Sequence, residues 1–241
     1  MKILNVDLPY ISGQKFSNGR AFEFRFDAED SRYRSRTDVL TDLVRDKQIV
    51  HVGCVDHDVA SIEKKIKKGK WLHKELDEIS KRCLGVDINQ DGVDYINNTL
   101  GFADVIVADV TGDPVAELAN EHWDYFLLPE VLEHIDNPVN FLQRIHANFR
   151  NNVGQLIITV PNAFTPDNVR NARQGKEVIN TDHRYWFTPY TLAKVVMAAG
   201  FKVANITMCR HGRVKKRSVI KNRWFSRHPL MRGDIIMLLD F

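Results

Sequence analysis

The sequence predicts an α/β fold, a mostly parallel sheet with helices on both faces. Three observations carry the prediction. Short apolar, β-branched runs alternate with helix-like segments along most of the chain. The first three runs carry Gly53, Asp87 and Asp109 at or next to their ends, where open α/β sheets bind ligands. The 241 residues, 44% hydrophobic and 27% charged, suffice to bury one full core.

Each element has its own signal. The strand runs are Gln48–Gly53, Cys83–Ile88, Ala103–Asp109, Trp123–Leu128, Gly154–Val160, Phe201–Met208 and Asp234–Asp240. Pro161 stops the fifth. Asn137 to Asn148 places Val139, Phe141, Leu142 and Ile145 near a 3.6-residue period, which predicts a helix. Thr188–Pro189 predicts a helix start, Thr as N-cap and Pro in the first turn, with Gly200 as its stop. Thr37 to Arg45 reads as a helix feeding the first strand. Before it, Phe22–Phe26 alternates apolar and polar residues and suggests a small strand. Residues 1–36 form an N-terminal extension expected to cover part of the active site, and 37–241 form the main domain.

No apolar run approaches the length of a membrane span, and Met1 to Tyr10 lacks a signal-peptide pattern. Cys54, Cys83 and Cys209 lack metal-type spacing, so reduced thiols and a cytoplasmic location are expected. No Gly-x-Gly-x-x-Gly follows the first strand, which argues against a dinucleotide-dependent oxidoreductase.

Gly53 lets the backbone approach a ligand as the chain turns into a helix. Asp87 can accept from ribose hydroxyls or cap a helix, and Asp109 can accept from an adenine amino group or act as a cap. After the fourth strand come Glu130, Glu133 and His134, at i, i+3 and i+4, followed much later by Asp182–His183. On a helix the first three share a face. Three readings stand: a helix surface with His134 satisfied by a neighbour; His134 or His183 as general base; or Glu130, Glu133, His134 and His183 around one divalent ion. Two carboxylates and two imidazoles suit Mg²⁺, Mn²⁺ or a similar ion. Val160–Pro161–Asn162 follows the fifth strand, where it either borders a pocket for a second ligand or simply ends the strand. Trp186, Phe187 and Tyr190 can stack on a sugar or pack a core.

From Ile49 to Phe241 the chain resembles the class I S-adenosylmethionine-dependent methyltransferases. The resemblance rests on Val52–Gly53–Cys54, Gly85–Val86–Asp87, Ala108–Asp109–Val110, Glu130–Val131–Leu132–Glu133–His134 with Asn137–Pro138, and Ala199–Gly200–Phe201. His51–Val52–Gly53–Cys54 and Asp182–His183–Arg184–Tyr185–Trp186–Phe187 resemble the methyltransferases of bacterial surface-polysaccharide gene clusters. The resemblance implies a single Rossmann-like seven-stranded domain of order 3-2-1-4-5-7-6, last strand antiparallel. It implies cofactor contacts from Gly53, Cys54, Val55, Asp56, Asp87, Ile88, Asp109, Val110 and Pro129, and catalysis by His134, His183 and Glu130. The Glu-x-x-Glu-His…His arrangement also resembles the metal site of small-RNA 2′-O-methyltransferases.

Two departures stand out. His51 replaces the family's usual acid on the first strand, and Val55 replaces the second turn glycine, which narrows the space beside the cofactor's methionine end. The implied reaction is methyl transfer from S-adenosylmethionine to a sugar hydroxyl of a surface glycan or its nucleotide- or lipid-linked precursor. The alternatives are RNA 2′-O-methylation and a non-catalytic partner subunit, the latter motivated by Val55 and His51.

Charge is uneven. Residues 210–232 carry nine Lys/Arg and no Asp or Glu, so taking those nine from the chain's net +3 leaves −6 elsewhere. A solvated loop is one reading. With Trp224, Phe225, Leu230 and Met231 interspersed, an anionic membrane or lipid phosphate is favoured over nucleic acid.

Overall fold

The computed structural model describes residues 8–16, 19, 21, 23, 26, 32–214 and 217–241. Most of the Phe22–Phe26 segment lies outside the described residues, as do Lys215 and Lys216.

Seven strands form one sheet: β1 (Gln48–Val52), β2 (Arg82–Asp87), β3 (Val105–Val107), β4 (Trp123–Pro129), β5 (Val153–Pro161), β6 (Lys202–Cys209) and β7 (Asp234–Asp240). Their order is β3-β2-β1-β4-β5-β7-β6. β1 to β5 are parallel, and β7 runs antiparallel to both β5 and β6. This is the α/β order the resemblance implied. It sets the ends of β1 to β6 and the start of β7 along one edge.

The helices are α1 (Leu8–Ile11), α2 (Arg36–Val44), α3 (Val59–Lys67), α4 (Leu72–Asp77), α5 (Gln90–Asn98), α6 (Ala116–Ala119), α7 (Pro138–Phe149), α8 (Pro166–Arg173), α9 (Pro189–Ala198) and α10 (Val219–Arg227). Their starts follow local chemistry. Ser35 and Asp38 form a reciprocal capping box on α2. Asn137 caps α7 with Pro138 in its first turn, and Thr188 with Pro189 does the same for α9.

Alternation along the strands sends side chains to both faces. Ile49, Cys83, Leu127, Ile157 and Ile236 meet α2 and α4 through Leu40, Val44 and Leu76. Val50, Leu84, Phe126, Leu156 and Met237 meet α7 and α9 through Leu142, Ile145, Leu192 and Val196. A third cluster joins Val55, Ile62, Val93 and Ile96 beneath α3 and α5.

The described part of 210–232 is not loop throughout, since it contains α10 and a 3₁₀ turn at Pro229–Met231. In the N-terminal segment, α1 docks on α9: Ile11 is buried and Lys194 Nζ donates to the Tyr10 carbonyl at 3.0 Å.

Candidate functional site

A cleft of about 1270 Å³ opens along the sheet edge where β1, β2 and β4 end. That is room for a nucleoside-sized ligand with a second molecule beside it. Of the cofactor residues expected, Gly53, Cys54, Asp56, Asp87, Ile88, Asp109, Val110 and Pro129 line it.

The turn after β1 is built by specific residues. Gly53 has φ +77°, which favours glycine, and a Cβ there would also crowd Val131 Cγ2 at 3.1 Å. Asp56 and His57 follow with φ of 65° and 80°. Two successive left-handed non-glycine residues are uncommon, though Asp and His are among the side chains that adopt this region most readily. Asp56 pairs with Lys65, and Trp71 Nε1 donates to the Cys54 carbonyl at 3.1 Å. Asp87 ties the turn to β2 by accepting from the Val55 amide at 3.0 Å and the Asn89 amide at 3.0 Å.

Val55 differs from expectation. Its side chain is buried under α5, where a Cβ on Gly92 would lie 2.2 Å from Val55 Cγ1. It therefore fills the core and does not narrow the cleft, because the turn points its side chain inward while its amide serves Asp87.

Asp109 accepts from the Thr111 amide and hydroxyl at 2.8 and 2.7 Å, and these bonds hold its carboxyl below the usual range. α7 pins this loop, with Asn148 Nδ2 donating to the Gly112 carbonyl at 2.7 Å.

The Glu130–His134 segment is not one helix face. Glu130 follows the last residue of β4 with φ +56°, and only Leu132–His134 is helical, as a 3₁₀ turn. The side chains diverge into two clusters. In the first, Glu133, His134 and His183 have ligand atoms within 4.8 Å of one another. Residues 180–187 strap His183 into place: the Arg184 amide donates to the Glu133 carbonyl at 2.8 Å and Tyr185 Oη to the Asp136 carbonyl at 2.6 Å. His134 Nδ1 lies 3.1 Å from the Asp182 carbonyl. A carbonyl only accepts, so Nδ1 is the donor in this pair. Burial first, then neighbouring His134, lowers the His183 pKa. Glu133 is 1% exposed and neither carboxyl oxygen has a hydrogen-bond partner among the described residues. Burial first, then Glu130, pushes its pKa up to about 8.

Glu130 belongs to the second cluster, so the four-ligand set expected from spacing is reduced to three. Glu130 Oε1 lies 2.7 Å from Arg36 Nη1 and accepts from Thr159 Oγ1 at 2.9 Å. Asp234 stands 3.9 Å from the same guanidinium and 3.1 Å from His211 Nδ1. Its hydrogen bond and charge raise the His211 pKa. A carboxylate-backed imidazole at the cleft can take up a proton. Spacing gave no sign of Arg36, His211 or Asp234, because they meet only through the sheet order.

His51 also lines the cleft, but it is buried and its Nδ1 lies 3.1 Å from His73 Nδ1. Burial lowers both pKa values, that of His73 to about 4. Trp186 and Asn162 line the acceptor side, whereas Phe187 is core and Tyr190 packs against it.

A family model described as a methyltransferase domain matches residues 30–206. The chain belongs to the methyltransferase domain family. No curated protein matches the chain in sequence. Several solved structures share the fold at low identity. Magnesium protoporphyrin IX methyltransferase from Synechocystis PCC 6803, solved with bound S-adenosylhomocysteine, has a TM-score of 0.52 at 12% identity, over 90% of this chain and 89% of that one. The small RNA methyltransferase HEN1 has a TM-score of 0.56 at 14% identity, over 93% of this chain but 27% of that longer one. A methyltransferase structure from Bacillus halodurans C-125 has a TM-score of 0.52 at 12% identity, over 85% of this chain and 97% of that one. For a methyltransferase of this fold S-adenosylmethionine is the expected cofactor, and the strand-end residues of the cleft suit it: carboxylates at Asp87 and Asp109, and the exposed apolar Ile88 between them.

Proposed function

We propose that this methyltransferase transfers a methyl group from S-adenosylmethionine to a sugar hydroxyl of a surface glycan or its nucleotide- or lipid-linked precursor, in the cytoplasm. The observation that carries the acceptor chemistry is Glu133, a buried carboxyl without a hydrogen-bond partner among the described residues, beside the imidazoles of His134 and His183. With its pKa pushed up to about 8 this carboxyl keeps its proton near neutral pH, and a bound cation would displace that proton and pair with the carboxylate. Glu133, His134 and His183 would hold a divalent ion such as Mg²⁺ or Mn²⁺. When bound, it would lower the pKa of an acceptor hydroxyl. Gly53, Asp87 and Asp109 would hold the cofactor, and the protein would align the acceptor oxygen behind the sulfonium methyl. The acceptor half of the cleft carries Asn162, Asn168, Asn180, Asp182 and Trp186, a set of hydrogen-bonding groups with one flat ring that suits a polyhydroxyl compound.

Titration with S-adenosylhomocysteine tests the cofactor, followed by Mn²⁺ titration of the binary complex. One-to-one binding of both supports the reading, and methyl transfer to sugar acceptors should then be sensitive to chelator. No nucleoside binding at millimolar ligand would overturn it. The likeness to HEN1 and the same trio favour a second reading, RNA 2′-O-methylation; salt-sensitive RNA binding with methyl transfer to RNA would select it.

A further inference from the structure

The segment between β6 and β7 hangs from the cleft rim, since β6 ends and β7 begins at the edge where the cleft opens. It carries α10, which is pinned by one side. Phe225 stacks on Tyr33 with centroids 4.8 Å apart. Arg232 is 1% exposed; its guanidinium donates to the carbonyls of Phe225 at 3.0 Å, Met208 at 2.8 Å and Ser226 at 3.4 Å. This basic residue of the segment is thus a structural clamp and takes no part in surface charge.

The other side of α10 faces solvent with an unusual composition. Ile220 is 88% exposed, Val219 68% and Trp224 40%. Arg217, Lys221, Arg223 and Arg227 are exposed around them. Ile220, Arg223, Trp224 and Arg227 fall at i, i+3, i+4 and i+7, which is one helical stripe. Among the described residues no carboxylate pairs with these four cations, and no acid occurs anywhere from 210 to 232. Exposed aliphatics cost free energy in water, and a Trp among basic residues on a short helix matches a bilayer interface: apolar chains enter the acyl boundary while cations meet anionic headgroups. RNA would use the cations but leave Ile220 and Val219 without a role.

We propose that α10 docks this protein on an anionic lipid bilayer. Docking sets the acceptor half of the cleft beside the membrane surface, so the acceptor of the reaction proposed above is one carried on lipid; that last step rests on the glycan reading, whereas docking itself does not. No helix among the described residues is long and apolar enough to cross a membrane, so the contact is peripheral.

Vesicle co-sedimentation of the full chain tests this. Vesicles of phosphatidylglycerol mixed with phosphatidylcholine should bind the protein, pure phosphatidylcholine should not, and raising salt should weaken binding by about tenfold or more. Ile220→Ser with Trp224→Ser, and separately Arg223→Glu with Arg227→Glu, should each lower binding by about tenfold. S-adenosylhomocysteine affinity should be unchanged in both, which shows that the domain is folded; Ile220→Glu alone replaces the first pair if Trp224→Ser unfolds it. Wild-type protein that ignores anionic vesicles at low salt, binds neutral ones equally, or keeps its affinity in every variant overturns the proposal. So does single-stranded RNA binding tighter than vesicle binding and indifferent to Ile220. Loss of nucleoside binding in the wild type would remove the glycan reading and leave the vesicle result standing.

Discussion

The buried pair His51–His73 makes the stability of this protein depend on acid in a way that can be computed. The two Nδ1 atoms are 3.1 Å apart, so one donates and the other accepts, and burial disfavours charge on either ring. His73 sits between Trp71 and Phe102, and burial depresses its pKa from 6.5 to about 4. Between those values the unfolded chain binds a proton that the folded protein refuses. Stability is therefore complete above pH 6.5 and is lost as pH falls toward 4. At about 1.4 kcal/mol per pH unit, the His73 share lost between pH 7.5 and 4.5 is about 2.5 kcal/mol. His51 is lowered too and acts in the same direction.

Glu133 runs the other way. Its folded pKa of about 8 means that the folded state holds a proton the unfolded chain has released, so its burden eases as pH falls through the same range. A single acid titration of the wild type would mix the two. The clean perturbation is His73→Phe, which keeps an aromatic ring beside Trp71 and Phe102 and leaves Glu133 in place. Urea unfolding of both proteins at pH 7.5, 6, 5 and 4.5 gives the stability difference, from which Glu133 cancels. His73→Phe should be less stable at pH 7.5 by about 1–3 kcal/mol, because His51 Nδ1 loses its partner. That gap should shrink by about 2.5 kcal/mol, or reverse, by pH 4.5. A gap that stays constant with pH would mean that His73 is not held neutral by burial, and the reasoning fails.

Other outcomes follow from the cleft and its supports. Asp87→Asn removes the charge expected to face the cofactor's ribose and should weaken S-adenosylhomocysteine by about ten- to hundredfold in calorimetry; unchanged affinity would displace Asp87 from the site. Mn²⁺ should raise the melting temperature of the wild type but not of Glu133→Gln, and an equal rise in both would move the ion elsewhere. Gly92→Ala should cost about 1–3 kcal/mol through the clash with Val55, and Val55→Ala should recover part of it in the double variant; strictly additive losses would refute the contact. Asp234→Asn should lower the His211 pKa seen by NMR, since Asp234 is the main cause of its rise; no change would break the pairing of these two groups.

Much of this protein was legible in its sequence because the relevant physics is local. β-branched runs become strands wherever they can pair, and Thr188–Pro189 and Asn137–Pro138 begin helices through hydrogen bonds only three residues long. Gly53, Asp87 and Asp109 stand at strand ends, and in a parallel sheet those ends share one edge, so reading the strands already gathers the cofactor half of the cleft. Long-range pairing lay beyond that. Spacing puts Glu130 with Glu133 and His134, yet the left-handed backbone at Glu130 turns it toward Arg36, and only Glu133 stays with His134 and His183. His211 and Asp234 face each other because β6 and β7 are antiparallel neighbours at the sheet edge, and Arg232 is a buried clamp because the Met208 carbonyl at the end of β6 converges on it with those of Phe225 and Ser226 in α10. Local chemistry specified which elements form and where the cleft opens. Which side chains share its charge and protons was decided by the tertiary structure, since a carboxylate's partner depends on what the whole fold brings within reach.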